Sequence, residues 1–90
     1  MILATTMVED VDRFLGIFST KGAEKREQHG SKGSTVFRDP AEEGRMWVLF
    51  DWDADGWQQF VSDPEVPAIL KEAGHIGVPQ AAEQLGQYGA

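Results

Sequence analysis

The spacing of apolar residues changes along the chain, and each change predicts an element. Ile2 to Val8 mixes apolar and β-branched residues and predicts a strand. Glu9, Asp10 and Asp12 follow, placing negative charge where a helix N-terminus favours it. Val11, Phe14, Leu15 and Phe18 then recur at i, i+3, i+4 and i+7, one face of an amphipathic helix. The helix is expected to continue past Gly22 through His29 and to stop at Gly30. Ser34 to Arg38 alternates as a short second strand, and the polar turn from Asp39 to Gly44 leads into a third, Arg45 to Trp52.

Two short helices come next. Asp53 or Asp55 is placed to cap the first, which carries Trp57, Phe60 and Val61 on one side. Ser62-Asp63-Pro64 reads as the opening of the second, with Pro64 at its first helical position, Val66, Ile69 and Leu70 as its stripe and Gly74 as its end. Residues 75–79 read as a loop. Residues 80–88 have helical propensity, but the order to this point is β-α-β-β-α. A last strand there completes a ferredoxin-like β-α-β-β-α-β unit with an antiparallel four-stranded sheet, so a strand is the expectation.

The third strand carries a second message. Met46, Val48, Phe50 and Trp52 point one way, while Trp47, Leu49 and Asp51 point the other. Both faces are apolar, so both call for cover. The helices of one chain supply one cover, and a second copy of the sheet is the simplest source of the other. Ninety residues form one expected domain with a core too small to be comfortable without help. With no Cys and only two separated histidines, disulfides and metal clusters are not that help. A homodimer is therefore expected.

Charge narrows the partners. Fifteen acidic against eight basic residues give a net charge of −7, with the bases interleaved among acids in residues 21–32. That balance argues against nucleic acid and anionic membrane surfaces. Residues 1–10 lack the basic start of a signal peptide, and no apolar run reaches the length of a membrane span. The expectation is a cytoplasmic protein with no metal and no organic cofactor.

The element order, residues 22–40 and residues 48–74 together resemble the dimeric α+β barrel superfamily, and within it the small proteins similar to antibiotic-biosynthesis monooxygenases. The resemblance covers nearly the whole chain. It implies two four-stranded sheets packed face to face in a homodimer with helices outside, and a cavity between sheet and helices in each enzymatic subunit. The activities it implies are cofactor-free oxidation of aromatic polyketides, heme breakdown, and isomerase, cyclase or decarboxylating reactions. The heme-degrading branch uses an Asn on the first strand, a Trp near the second helix and a His on the helix after it. This chain has Thr6, Phe60 and Ile69 there, which removes the hydrogen-bonding and iron-ligating groups.

Few residues carry candidate chemistry. His75, after Gly74, reads either as an exposed loop residue or as a general base at a cavity mouth. Asp51 reads either as a solvated strand end or as a buried carboxylate acting as a base. His29, among charged helix residues, reads as solvated surface. Thr6, Phe14, Phe18, Trp57, Phe60 and Ile69 are the candidate walls of a substrate cavity. No phosphate loop, nucleotide fingerprint or catalytic triad is present. The leading expectation is a small cofactor-independent enzyme performing proton transfer on, or oxygenation of, an aromatic or polyketide-like molecule. The competing one is a dimeric ligand-binding or structural protein without turnover, because one fold hosts many functions.

Overall fold

In the computed structural model, which describes residues 1–90, the elements are β1 (Ile2–Val8), α1 (Val11–Ile17), a π-helical turn (Phe18–Gly22), α2 (Ala23–Gln28), β2 (Ser34–Arg38), β3 (Arg45–Phe50), α3 (Ala54–Ser62), α4 (Val66–Glu72) and β4 (His75–Ala81). The sheet runs β2-β3-β1-β4 with every neighbouring pair antiparallel, the ferredoxin-like arrangement. No helix is long and apolar enough to cross a membrane.

The registers place Ala4 opposite Val48, Thr6 opposite Met46 and Val36 opposite Val48, so these side chains share one face. The helices cover that face, and its core is built from Ala4, Val8, Phe14, Met46, Val48, Phe50, Trp52, Trp57, Phe60, Val66 and Ala73. Leu3, Thr5, Phe37, Trp47 and Leu49 share the opposite face. The segment after β4 lies beside Leu3 and Leu49 at one end of it, and Leu3 and Phe37 remain 39% and 51% exposed.

Several sequence expectations need correction. The third strand ends at Phe50, because the backbone of Asp51 turns to bond with Lys32 and Gly33. Leu15 and Val61 are exposed rather than core-facing; Ile17 packs against the core instead of Leu15. Asp53 caps α3 by accepting from the Gly56 amide. The Pro in the first turn of α4 is Pro67, while Pro64 lies in the preceding turn. The largest displacement is at the C-terminus: β4 runs from His75 to Ala81, and residues 82–90 have no regular structure. Gly77 and Pro79 argue against a strand when read alone. An edge strand tolerates both, and β4 is an edge with a bulge opposite Thr5–Met7 that accommodates the positive φ of Gly77.

Candidate functional site

His75 does not sit in a loop. It opens β4, paired with Val8, and its position is set from several directions. α4 ends at Glu72, and Gly74 follows with φ of 82°, the left-handed turn that reverses the chain after a helix. Arg13 reaches over from α1 and donates to the carbonyls of Glu72 and Lys71 at 2.6 and 3.0 Å, satisfying the open end of the helix. The Glu9 amide bonds Gly74 O at 3.0 Å, tying the turn to the end of β1. The imidazole emerges on the helix-covered face of the sheet. There Nδ1 lies 2.7 Å from Thr6 Oγ1, one donating to the other according to the histidine tautomer. The Phe14 ring meets it edge-on at 5.5 Å between centroids.

These groups border a cavity of about 60 Å³ between sheet and helices. Its walls include Ala4, Val48, Phe50, Leu70 and Ala73, and also Thr6, Phe14, Phe18, Trp57, Phe60 and Ile69. The space is smaller than the ~150 Å³ apolar cavity that admits benzene. It adjoins an outer groove of about 380 Å³ between α3, α4 and β4, with which it shares Trp57, Phe60, Leu70, His75 and Pro79. A water-sized or diatomic molecule fits the inner space, and an aromatic ring needs the groove. His75 borders both.

Burial of the imidazole among these apolar walls pushes its pKa down to about 4, so the ring is neutral at pH 7. Asp51 takes no part in this arrangement. Its side chain is exposed at the end of β3 and is absent from the cavity wall, so the buried-carboxylate reading does not fit its position.

A second polar group borders the inner cavity, and the sequence reading passed over it. Arg26 is 8% exposed, and its guanidinium carbon lies 3.6 Å from the centre of the Phe18 ring. Nη2 donates to the Phe18 carbonyl at 2.9 Å. Side chains on a helix lean toward its N-terminus, so Arg26 lies back along the row formed by Gly22, Phe18 and Phe14. Gly22 leaves the lane open, since a Cβ there would come within 2.9 Å of Arg26 Nη1. The signal was available: a cation continues the i, i+4 row of two Phe residues. Burial lowers its pKa to about 10, which leaves it charged at neutral pH. The π-turn sits between Phe18 and Arg26, and such turns recur at functional sites.

His29 also departs from expectation. It is half-buried, with Nε2 2.9 Å from Asp63 Oδ2 and its ring edge-on to Phe60. Lys25 Nζ reaches the same Asp63 oxygen at 3.0 Å and Glu65 at 3.2 Å. The His29 ring, the Glu65 amide and the Lys25 ammonium hold the Asp63 carboxyl well below the usual carboxylate range. This cluster ties α2 to the turn before α4 and does not border the inner cavity. No group of His, Cys, Asp and Glu side chains is arranged to hold a metal ion.

No protein-family model and no curated protein sequence matches the chain. Solved structures do match its fold. SnoaB, a cofactor-independent oxygenase from Streptomyces nogalater, superposes with a TM-score of 0.68 at 14% identity, over 99% of this chain and 95% of that one. A candidate antibiotic biosynthesis monooxygenase from Caulobacter crescentus gives 0.64 at 20% identity, over 90% and 82%. Another from Deinococcus radiodurans gives 0.62 at 14% identity, over 100% and 98%. The chain therefore has the α+β ferredoxin-like fold of the small antibiotic biosynthesis monooxygenase proteins, along nearly its whole length.

Proposed function

We propose that the protein is a small cofactor-independent enzyme that binds an apolar aromatic or polyketide-like molecule between sheet and helices and oxygenates it after proton removal by His75. The observation that carries this reading is the Thr6–His75 pair at the wall of a cavity lined mostly by apolar side chains. When Nδ1 donates to Thr6 Oγ1, Nε2 holds the free lone pair. Removal of a proton from an activated ring CH₂ gives a carbanion. Dioxygen accepts its electrons, the imidazolium protonates the resulting peroxide, and loss of water leaves a carbonyl. The sum is CH₂ + O₂ → C=O + H₂O. The fold shared with a protein described as a cofactor-independent oxygenase supports the reaction class.

Magnitudes permit the first step. A carbon acid of pKa about 10 gives its proton to an imidazole of pKa about 4 at a cost of about 8 kcal/mol. A turnover of about 10 per second corresponds to a barrier of about 16 kcal/mol. The penalty fits beneath that barrier, and stabilisation of the anion in the cavity reduces it further.

The depressed basicity of His75 is also what favours the second reading, a binding protein in which the imidazole is only a hydrogen-bonding wall group. The two readings part on turnover. Oxygen uptake with a hydroxyanthrone, a flat molecule with an activated ring CH₂, is expected to accelerate with the wild type and to fall at least about tenfold in His75→Ala. Asp51→Asn is expected to leave the rate unchanged. Binding without oxygen uptake supports the second reading, and an unchanged rate in His75→Ala removes His75 as the base.

We infer also that the sheet face away from the helices packs against a second copy of the chain. Leu3, Phe37, Trp47 and Leu49 together on that face support this reading, because a broad apolar patch on a soluble chain marks an interaction surface.

A further inference from the structure

We propose that Arg26 anchors an anionic oxygen of the bound molecule, so that the cavity selects aromatic acids, phenols or enols that bind as anions over neutral rings of the same shape. This inference rests on the cavity being the ligand site proposed above and adds the charge of its ligand.

Arg26 is a charged group among apolar walls, and burying a charge is costly unless an opposite charge meets it. None does here. The ion pairs of the chain involve Arg13, Lys21, Lys25, His29 and Arg45, and Arg26 is in none of them. A guanidinium has five N–H donors, and Arg26 uses one of its groups on the Phe18 carbonyl. The Phe18 ring face stabilises the cation from one side. The remaining donors have no protein acceptor, and the residue borders the inner cavity. A planar guanidinium with free N–H groups matches a carboxylate or phenolate edge.

His75 packs on Phe14 and Arg26 packs on Phe18, while Phe14 and Phe18 lie 5.3 Å apart. The two polar groups therefore stand on successive rings of one aromatic row, the neutral one at the groove and the charged one farther in. A ligand ring seated in the groove beside His75 directs an anionic substituent inward through the small inner space toward Arg26 and keeps its reacting carbon at His75. The cation then also stabilises negative charge that spreads from that carbon during proton removal, the step made difficult by the weak basicity of His75. Net charge opposes the preference, which makes tighter binding of the anion diagnostic of a specific cationic partner. The chain carries −7 overall, so an anion is repelled from most of its surface and has no reason to associate without a specific partner.

Equilibrium dialysis at pH 7.5 with 2-naphthoate and 2-naphthamide, alike in shape and different in charge, tests the assignment. The wild type is expected to bind the acid at least about tenfold more tightly than the amide. Arg26→Gln is expected to erase that preference, lowering acid binding at least about tenfold more than amide binding. Arg26→Lys, which keeps the charge and loses the fork, is expected to retain only part of it. Equal affinity of the wild type for acid and amide overturns the assignment and leaves the cavity reading standing. A preference that survives in a folded Arg26→Gln overturns it too. Failure of the wild type to bind either compound overturns both readings. The wild-type comparison needs no variant, so it decides the question even if Arg26→Gln does not fold.

Discussion

The most direct consequence of the site geometry is that His75 stays neutral at pH values where an ordinary histidine is charged. Its pKa is lowered to about 4 by burial, with no charged neighbour assisting. At pH 6.5 a solvated imidazole is half protonated, whereas one with a pKa of about 4 is about 0.3% protonated. The chain has only two histidines, so ring resonances followed by NMR from pH 7.5 downward separate cleanly once His75→Ala identifies the missing set. The expected midpoint for His75 is near 4. Phe14→Ala extends the test, because the Phe14 ring covers the imidazole edge-on at 5.5 Å. Its loss admits water and is expected to move the midpoint back toward 6.5. The stability consequence has a definite sign. Between about 6.5 and about 4 the unfolded chain takes up a proton that the folded chain refuses, so the fold loses stability as pH falls through that window and is indifferent to this group above it. The depressed Asp39 and Asp63 carboxyls add loss in the same direction at still lower pH. A wild-type midpoint at or above about 6 would show a wet cavity and sink the neutral-base reading. A midpoint unmoved by Phe14→Ala would show that burial is not the cause.

Other outcomes follow from packing. Phe14 is 1% exposed, so Phe14→Ala is expected to cost about 3–5 kcal/mol, read as a lower urea midpoint at unchanged slope. Gly56→Ala is expected to destabilise as well, because an added Cβ would stand 2.6 Å from the carbonyl of His29, the same carbonyl that accepts from Trp52 Nε1. Sedimentation is expected to give twice the 10.0 kDa chain mass at micromolar concentration, and Trp47→Asp to shift it toward monomer; a stable wild-type monomer would remove the sheet-on-sheet reading.

Local patterns in the chain carry most of the fold. Ile2–Val8, with its apolar and β-branched residues, and the alternating Ser34–Arg38 form strands with the bounds read from sequence, and of the two caps the sequence offered, Asp53 and Asp55, the structure uses Asp53. The antiparallel ferredoxin-like order follows from β-α-β-β-α once a final strand is supplied. The location of that strand was not legible, because Gly77 and Pro79 weaken strand propensity and only an edge position beside β1 makes them tolerable. The same tertiary decision determined the candidate site. As a loop residue His75 would be an ordinary exposed histidine. As the first residue of β4 it is opposite Val8, within 2.7 Å of Thr6 and under Phe14. Phe14, Phe18, Phe60 and Ile69 were legible as wall residues because helical spacing puts them on the sheet-facing side. Asp51 was indistinguishable from a buried acid, since alternation assigns a face and does not say where the strand stops. Arg26 was hidden because charge in a helix is ordinarily solvated. Only the packed helix, with Gly22 opening the lane beneath its side chain, turned that charge toward the cavity. Sequence fixes which residues can share a face through backbone periodicity. Water exclusion, and with it the protonation of His75 and the isolation of Arg26, exists only once distant segments close over them.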